Sequence, residues 1–383
     1  MSIGRRFQAY PFEDHEVQPA LNRLLRTREF KLILHYLFPD KSPKEIRKEL
    51  KSIQSTCEFQ EKITSKAAEF IIQRSTDGFS SSGIEYLDKQ ETYLFISNHR
   101  DIVLDSGLLN YTLNKQGFRT TQLAIGDNLV QSRMLADLFS LNKSFTVKRN
   151  VPVSQLLDYT LQLSSYIRTT ITQGNSSIWI AQRQGRAIDG NDRTHGGVLK
   201  MLSISDEDLS FVDNFTALNI VPVAISYEYD PTDTLKLPRL MAEREGKLYA
   251  KKKREDVKAM IAGISEFKGH VHLSIGRKLS REELEPIGKI PRKNERLREL
   301  ALSIDHHIIR NYWLWRTNFV AYDLLNKSRK FEDHYNNHDY KTFDKLLRAK
   351  ISGHIGKSSI LKELILLQYA NPIINKLELD GSI

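Results

Sequence analysis

Residues 98–105 read Asn-His-Arg-Asp-Ile-Val-Leu-Asp and follow directly on the apolar run Tyr-Leu-Phe-Ile-Ser at 93–97. A neutral histidine held by a carboxylate is an effective general base near neutral pH, because the carboxylate fixes the tautomer and steadies the charged form. His99 with Asp105, or with Asp101, has the residue types for that pair. Two cationic clusters follow at similar positions. Lys148 and Arg149 end the run Phe-Thr-Val at 145–147, and cations at a strand end suit an anionic ligand. Arg183, Gly185, Arg186, Gly190 and Arg193 then crowd a segment after Ile-Trp-Ile-Ala at 178–181. Three arginines and two glycines in so short a stretch have the makings of an anion cradle. Each cluster alone has a plain alternative: a structural His–Asp pair, a surface pair of cations, an exposed loop.

The elements that must position these groups alternate. Short runs of β type occur at 93–97, 121–126, 145–149, 176–181, 220–228 and 270–276, with helix-length segments between most of them, including 153–172. This alternation predicts an α/β fold with a mixed, largely parallel sheet flanked by helices, in which chemistry gathers at the carboxyl ends of strands. Pro222 lies inside the 220–228 run, and a proline breaks a central ladder, so this strand is expected at an edge, an end or a bulge. Residues 1–80 read as a helical N-terminal region, 81–282 as the α/β domain and 283–383 as a helical C-terminal region. In the first, Ser42, Pro43 and Glu45 form a helix-start signature. The turn-rich Ser-Thr-Asp-Gly-Phe-Ser-Ser-Ser-Gly at 75–83 is expected to separate that region from the sheet.

Composition narrows the class. With 40% apolar and 27% charged residues over 383 positions, the chain is expected to bury a substantial core. A single cysteine excludes an internal disulfide and fits a reducing compartment. No apolar window approaches the ~20 residues needed to span a bilayer, and the opening residues lack the apolar centre of a secretory leader. A net charge of +10 calls for an acidic partner. The Lys-Lys-Lys-Arg run at 251–254 lacks the aromatic interleaving of a nucleic-acid binder, and no nucleic acid is expected.

Four blocks in this order resemble the glycerophospholipid acyltransferase family over about residues 85–280. Its Asn-His…Asp block is matched by Asn98, His99 and Asp105. Its phenylalanine-led strand with a terminal arginine is matched by 145–149, its Glu-Gly-x-Arg loop by Gln184, Gly185 and Arg186, and its Val-Pro strand by Val221 and Pro222. Val-Pro-Val-Ala-Ile-Ser-Tyr-Glu at 221–228 and Gly-Asp-Asn-Leu at 126–129 look like the bacterial glycerol-3-phosphate acyltransferase branch. There are two departures. Asp105 follows His99 after five residues where the family has four, so a local bulge absorbs the extra residue or Asp101 takes the role. No glutamate stands in the third block, where Gln182 and Gln184 are the nearest candidates.

The resemblance implies acyl transfer from acyl-CoA or an acyl carrier protein to a hydroxyl of glycerol-3-phosphate or lysophosphatidic acid. His99 would be the base and Asp105 its orienting acid. Arg149 and Arg186, with Lys148, Arg183, Gln184 and Gly185, would bind substrate. No metal or cofactor beyond the thioester co-substrate is expected. Of the remaining histidines, His270 and His272 alternate on one strand without an evident third ligand, and His306 and His307 are incidental. The segment 332–340 reads as a polar loop. The enzyme is expected in the cytoplasm, held peripherally at the inner face of the membrane by anionic lipid, with 310–319 either packed as a helix or inserted at the interface. Two alternatives remain: an acceptor lipid without phosphate, or a non-catalytic lipid- or nucleic-acid-binding protein of the same fold.

Overall fold

The computed structural model describes residues 8–206, 208–252, 254–352 and 358–381. Lys253 of the basic run and the first residues of the chain lie outside them. Seven strands form one sheet in the order β1-β7-β6-β2-β5-β3-β4. They are β1 (Gly78–Ser82), β2 (Leu94–Ser97), β3 (Gln122–Gly126), β4 (Ser144–Val147), β5 (Ile178–Ala181), β6 (Ile220–Tyr227) and β7 (His270–Ile275). All neighbours run parallel except β6 and β7. This is the mixed, largely parallel α/β sheet that the alternation predicts.

Both faces of the sheet are covered. Leu94, Ile96, Ile178 and Ile180 pack on one face against Ile167 and Ile171 of helix Val153–Thr172 and Leu300 and Ile304 of helix Lys293–Asn311. Phe95, Val221, Val223, Ile225 and Tyr227 face the other side, against Leu104 and Leu108 of helix Leu104–Lys115. The alternation of odd and even residues between the two clusters is the two-residue period of a strand. A separate core joins the N-terminal helices, where Ser42 accepts from the Glu45 amide and Glu45 returns the bond, as its sequence signature predicts.

Four expectations need correction. The turn-rich 75–83 segment contains β1, so the sheet begins before residue 81. Its serines suit an edge strand with one neighbour, and Ser80 and Ser82 flank the His272 ring at 2.7 and 3.0 Å. Pro222 sits in an interior strand, paired with Ile96 of β2. It is tolerated because the antiparallel β6–β7 pairing starts only at Val223. The Pro222 carbonyl accepts from Gly276 at 2.8 Å on the β7 side, so its nitrogen, which has no proton, faces the same side, where β7 has ended. The aromatic 310–319 segment is not one helix. The chain is extended at 312–315, with the Trp313 amide donating to Ser226 Oγ (2.9 Å) and Trp315 Nε1 to the Ser226 carbonyl (3.2 Å), before helix Arg316–Asn326 begins. Within 332–340, Asn336 caps a helix over Asn337–Ile351 by accepting from His338 and Asp339.

No described helix is long and apolar enough to cross a membrane. Gly83, just after β1, has a left-handed backbone (φ +84°), and an added Cβ would lie 1.8 Å from the Ile275 carbonyl oxygen. Gly83→Ala is therefore expected to cost at least ~2 kcal/mol, from conformational strain plus displacement of β7. Denaturant unfolding of the two proteins checks it.

Candidate active site

The five mutually parallel strands β2 to β6 direct their carboxyl ends to one edge, and the candidate residues stand there. After Ser97 the β2 ladder is continued by a side chain. Asn98 Oδ1 accepts from the Ile225 amide (2.8 Å) and its Nδ2 donates to the Ile225 carbonyl (3.0 Å). His99 follows, its ring edge-on to Trp179 with centroids 5.7 Å apart, while Trp179 Nε1 donates to Ser97 Oγ at 2.9 Å.

His99 Nδ1 lies 2.8 Å from Asp105 Oδ2. An ionised carboxylate only accepts, so Nδ1 carries the proton and Nε2 is left as the basic nitrogen. Nε2 has no partner among the described residues. Asp105 is buried in the first turn of helix Leu104–Lys115, where the helix dipole favours negative charge. Its Oδ2 also accepts from the amides of Arg100 (2.6 Å) and Asp101 (3.0 Å), and its Oδ1 from the Tyr227 hydroxyl (2.8 Å). Burial, and then the nearby Asp105 charge, push Tyr227 far above the ordinary tyrosine range, which keeps it a donor.

Of the two aspartates, Asp105 contacts the imidazole. Asp101 Oδ1 accepts from the amides of Val103 and Leu104, both at 2.8 Å, and so shapes the turn before the helix. Burial, reinforced by Asp105, raises the Asp101 carboxyl above its usual range. The extra residue in the spacing is taken up in this turn.

The third cluster packs directly beside His99. The Ala187 amide donates to the His99 carbonyl at 2.9 Å, and the Gln182 amide to the Ser97 carbonyl at 2.8 Å. Arg186 Nη1 donates to Thr232 Oγ1 at 3.1 Å, and its charge acts on Asp101. Gly185 has φ +76° with open space around it, so it serves the turn rather than a close approach to protein. Gln184 is exposed, Arg183 half-buried. Gln182 is fully buried, and neither polar atom of its side chain has a partner among the described residues. On the β4 side, Lys148 Nζ lies 5.3 Å from the Tyr159 ring centre. Arg149 folds over the end of β3, where a Cβ on Gly126 would approach its Nε to 2.7 Å. Arg193 turns away to Asn375 and Glu378.

Beneath the site lies a buried ionic layer that the sequence reading missed. Arg100 donates to Asp192 Oδ2 (2.6 Å) and to the Gly190 carbonyl (2.9 Å), under the Tyr312 ring. Lys236 pairs with Asp230, and Thr232, which receives Arg186, bonds Asp230 in turn at 2.9 Å. Burial raises the Asp230 carboxyl, but Lys236 outweighs it and holds the group at about 2. Tyr227 was legible from period alone, since it continues the 221, 223, 225 face to the strand's end. The partnership of Arg100 with Asp192 carries no local signal. On the same edge, where β6 ends and β7 begins, Asp77 and Glu228 come together with His270 closely enough to share an ion, while the His272 ring is held by Ser80 and Ser82 instead. His270 Nδ1 is already 2.9 Å from Glu228.

Residues 78–226 match the model of the Acyltransferase family. Over that segment the chain is similar to the acyltransferase family. That match takes in the histidine block, the 145–149 strand, the arginine loop and Pro222. No curated protein matches the chain. Among solved structures, the 1-acyl-sn-glycerophosphate (LPA) acyltransferase PlsC from Thermotoga maritima is similar over 79% of this chain and 100% of its own, at 13% identity and a TM-score of 0.36.

Replacing Arg100 by leucine would strand the Asp192 carboxylate in the interior, at an expected cost of ~3–5 kcal/mol. Burial already raises the Asp192 carboxyl, against the opposing pull of Arg100. Without Arg100 the native state would hold a proton that the unfolded chain releases. The Asp192 contribution to the variant's stability is therefore full below the ordinary carboxylate range and is lost as pH rises from there through the raised native value. Urea unfolding across that range, with Asp192→Asn added to restore stability and flatten the dependence, tests both points.

Proposed function

We propose that the protein is a glycerolipid O-acyltransferase that moves a fatty acyl group from acyl-CoA or an acyl carrier protein to a hydroxyl of glycerol-3-phosphate or lysophosphatidic acid. The observation that carries this reading is the contact of the partly exposed His99 with buried Asp105, Nε2 being unengaged beside a loop rich in arginine. The acceptor oxygen attacks the thioester carbonyl carbon while its proton passes to His99 Nε2. The C–S bond then breaks, and the departing sulfur takes the proton from the imidazolium, giving an ester and a free thiol. Asp105 steadies the imidazolium, a division of labour shared with serine hydrolases but without a protein nucleophile. Arg149 and Arg186, supported by Lys148 and Arg183, hold the phosphate and so fix the hydroxyl against the base. No metal enters the scheme. A lipid acceptor brings the enzyme to the membrane from the cytoplasmic side.

A second reading draws on Gln184. An amide at this position supplies hydrogen bonds without charge, which suits an acceptor lipid lacking phosphate.

Thiol release from palmitoyl-CoA and from acyl carrier protein, with each acceptor in turn, tests the proposal. His99→Ala is expected to lower acceptor-dependent release by ~10²–10⁴-fold. Asp105→Asn should lose a comparable factor, and Asp101→Asn much less, because only Asp105 bonds the ring. Release with a phosphate-free lipid alone would favour the second reading. Release from none of the pairings would leave a binding protein.

A further inference from the structure

Helix Val153–Thr172 has 20 residues, about 30 Å of helix, and only its far part is packed. Burial begins at Leu163, whereas every residue from Val153 to Asp158 is exposed. Val153, Leu156 and Leu157 are 90%, 49% and 60% exposed. At i, i+3 and i+4 they share one face of the helix. Single apolar residues on a surface are ordinary, but three on one face of a protruding helix end are a contiguous patch. The helix starts just beyond β4, so this tip stands at the same sheet edge as the candidate active site, next to Lys148 and Arg149.

A second exposed aliphatic group stands on that edge. Asp256 accepts from Asn128, just past β3, at 2.7 Å, and pairs with Lys251. This ties the loop at 245–252 to the carboxyl end of the sheet. Leu248 in that loop is 102% exposed. The loop carries Lys247, Lys251 and Lys252, of which Lys247 engages Glu245 at 2.7 Å and Lys251 engages Asp256. Along 148–158 the cations Lys148 and Arg149 face one acid, Asp158.

We infer that this edge is a membrane-docking face: the Val153–Leu156–Leu157 tip and Leu248 enter the interfacial layer of an anionic bilayer, and the surrounding lysines and Arg149 meet its headgroups. The occupant follows from shape and charge together. A protruding aliphatic tip has no cleft to receive a protein side chain, whereas an interface accepts such groups to the depth of one helix face, with flanking cations drawn to anionic lipid. Docked in this way, the Arg149 side of the site opens onto the leaflet, and a lipid phosphate reaches it by lateral diffusion. The inference rests on the lipid-acylating reading for its purpose, but not for its test.

The test is co-sedimentation of the full chain with vesicles of phosphatidylcholine and phosphatidylglycerol, comparing wild type with the double variant Leu156→Asp/Leu157→Asp. Both positions are exposed and outside the binding machinery, so circular dichroism and thiol release with soluble glycerol-3-phosphate should be unchanged. Vesicle binding should fall at least ~tenfold. Leu32→Asp and Trp313→Ala remove the exposed apolar groups of the N-terminal helices (58%) and of the 312–315 segment (52%), and both should bind as wild type does. Wild-type binding by the double variant overturns the inference, as does loss of binding in either control instead. Failure of wild type to bind these vesicles also overturns it. Absence of acyl transfer would overturn the catalytic reading alone and leave the vesicle result standing.

Discussion

Asp105 keeps a carboxylate out of water at 2% exposure, and a charge so placed must be compensated or neutralised. Taking such a group from water costs several kcal/mol. Four donors answer it: the His99 ring, the Arg100 and Asp101 amides, and the Tyr227 hydroxyl. Hydrogen bonds to a charged group contribute roughly 1.5–3 kcal/mol each, so the four together exceed the burial cost. The same four bonds fix the geometry of the edge. They tie the end of β2, the turn after it, the start of helix Leu104–Lys115 and the end of β6 to one point. His99 is held at a defined angle because its partner cannot move.

A second layer does for the arginine loop what Asp105 does for the histidine. Arg100 reaches under the site to Asp192 and Gly190, and so links the turn after β2 to the far end of the loop after β5. Arg186 hangs from Thr232, which bonds Asp230, which is in turn neutralised by Lys236. Burial disfavours the charges of Arg100, Asp192, Asp230 and Lys236, and each of these four has an opposite charge against it. Helix Ser358–Leu379 closes this layer from below. Tyr369 of that helix donates to Asp233 at 2.7 Å, and Asp233 also pairs with Lys350. The C-terminal helices thus belong to the support of the edge, a role that their amphipathic pattern does not disclose.

What could be read from the sequence follows the range of the interactions involved. Six strands were legible because each is a short apolar run between turn residues, and helix 153–172 because its pattern is long and periodic. β1 was not, since Gly-Phe-Ser-Ser-Ser has neither apolar alternation nor β-branched residues, and only the neighbouring β7 makes it a strand. The break at 312–315 was equally hidden, because aromatic residues continue an amphipathic pattern and the bonds to Ser226 that hold them extended come from far along the chain. For the site, the clusters at 99–105, 148–149 and 183–186 were visible as residue types, and strand order alone brings their ends together. Arg100 with Asp192 and Arg186 with Thr232 are pairings across the fold, and no spacing encodes them.

The histidine-to-aspartate spacing shows how a departure in sequence can leave the contact in place. Moving the acid one residue along a helix rotates it by about 100°, which would turn it away from the ring if the turn before the helix were unchanged. The turn is instead shaped around Asp101. Its carboxylate gathers the amides of Val103 and Leu104, and its Oδ2 lies where a Cβ on Gly263 would come within 2.0 Å. Only glycine leaves room there, so helix Glu255–Ser265 can close over the lengthened turn. Asp101 and Gly263 are therefore the accommodation that lets Asp105 face His99 across five residues. An aspartate at 101 has a structural reason to be present that is independent of acid–base chemistry, which separates the roles of two carboxylates that the sequence alone leaves interchangeable.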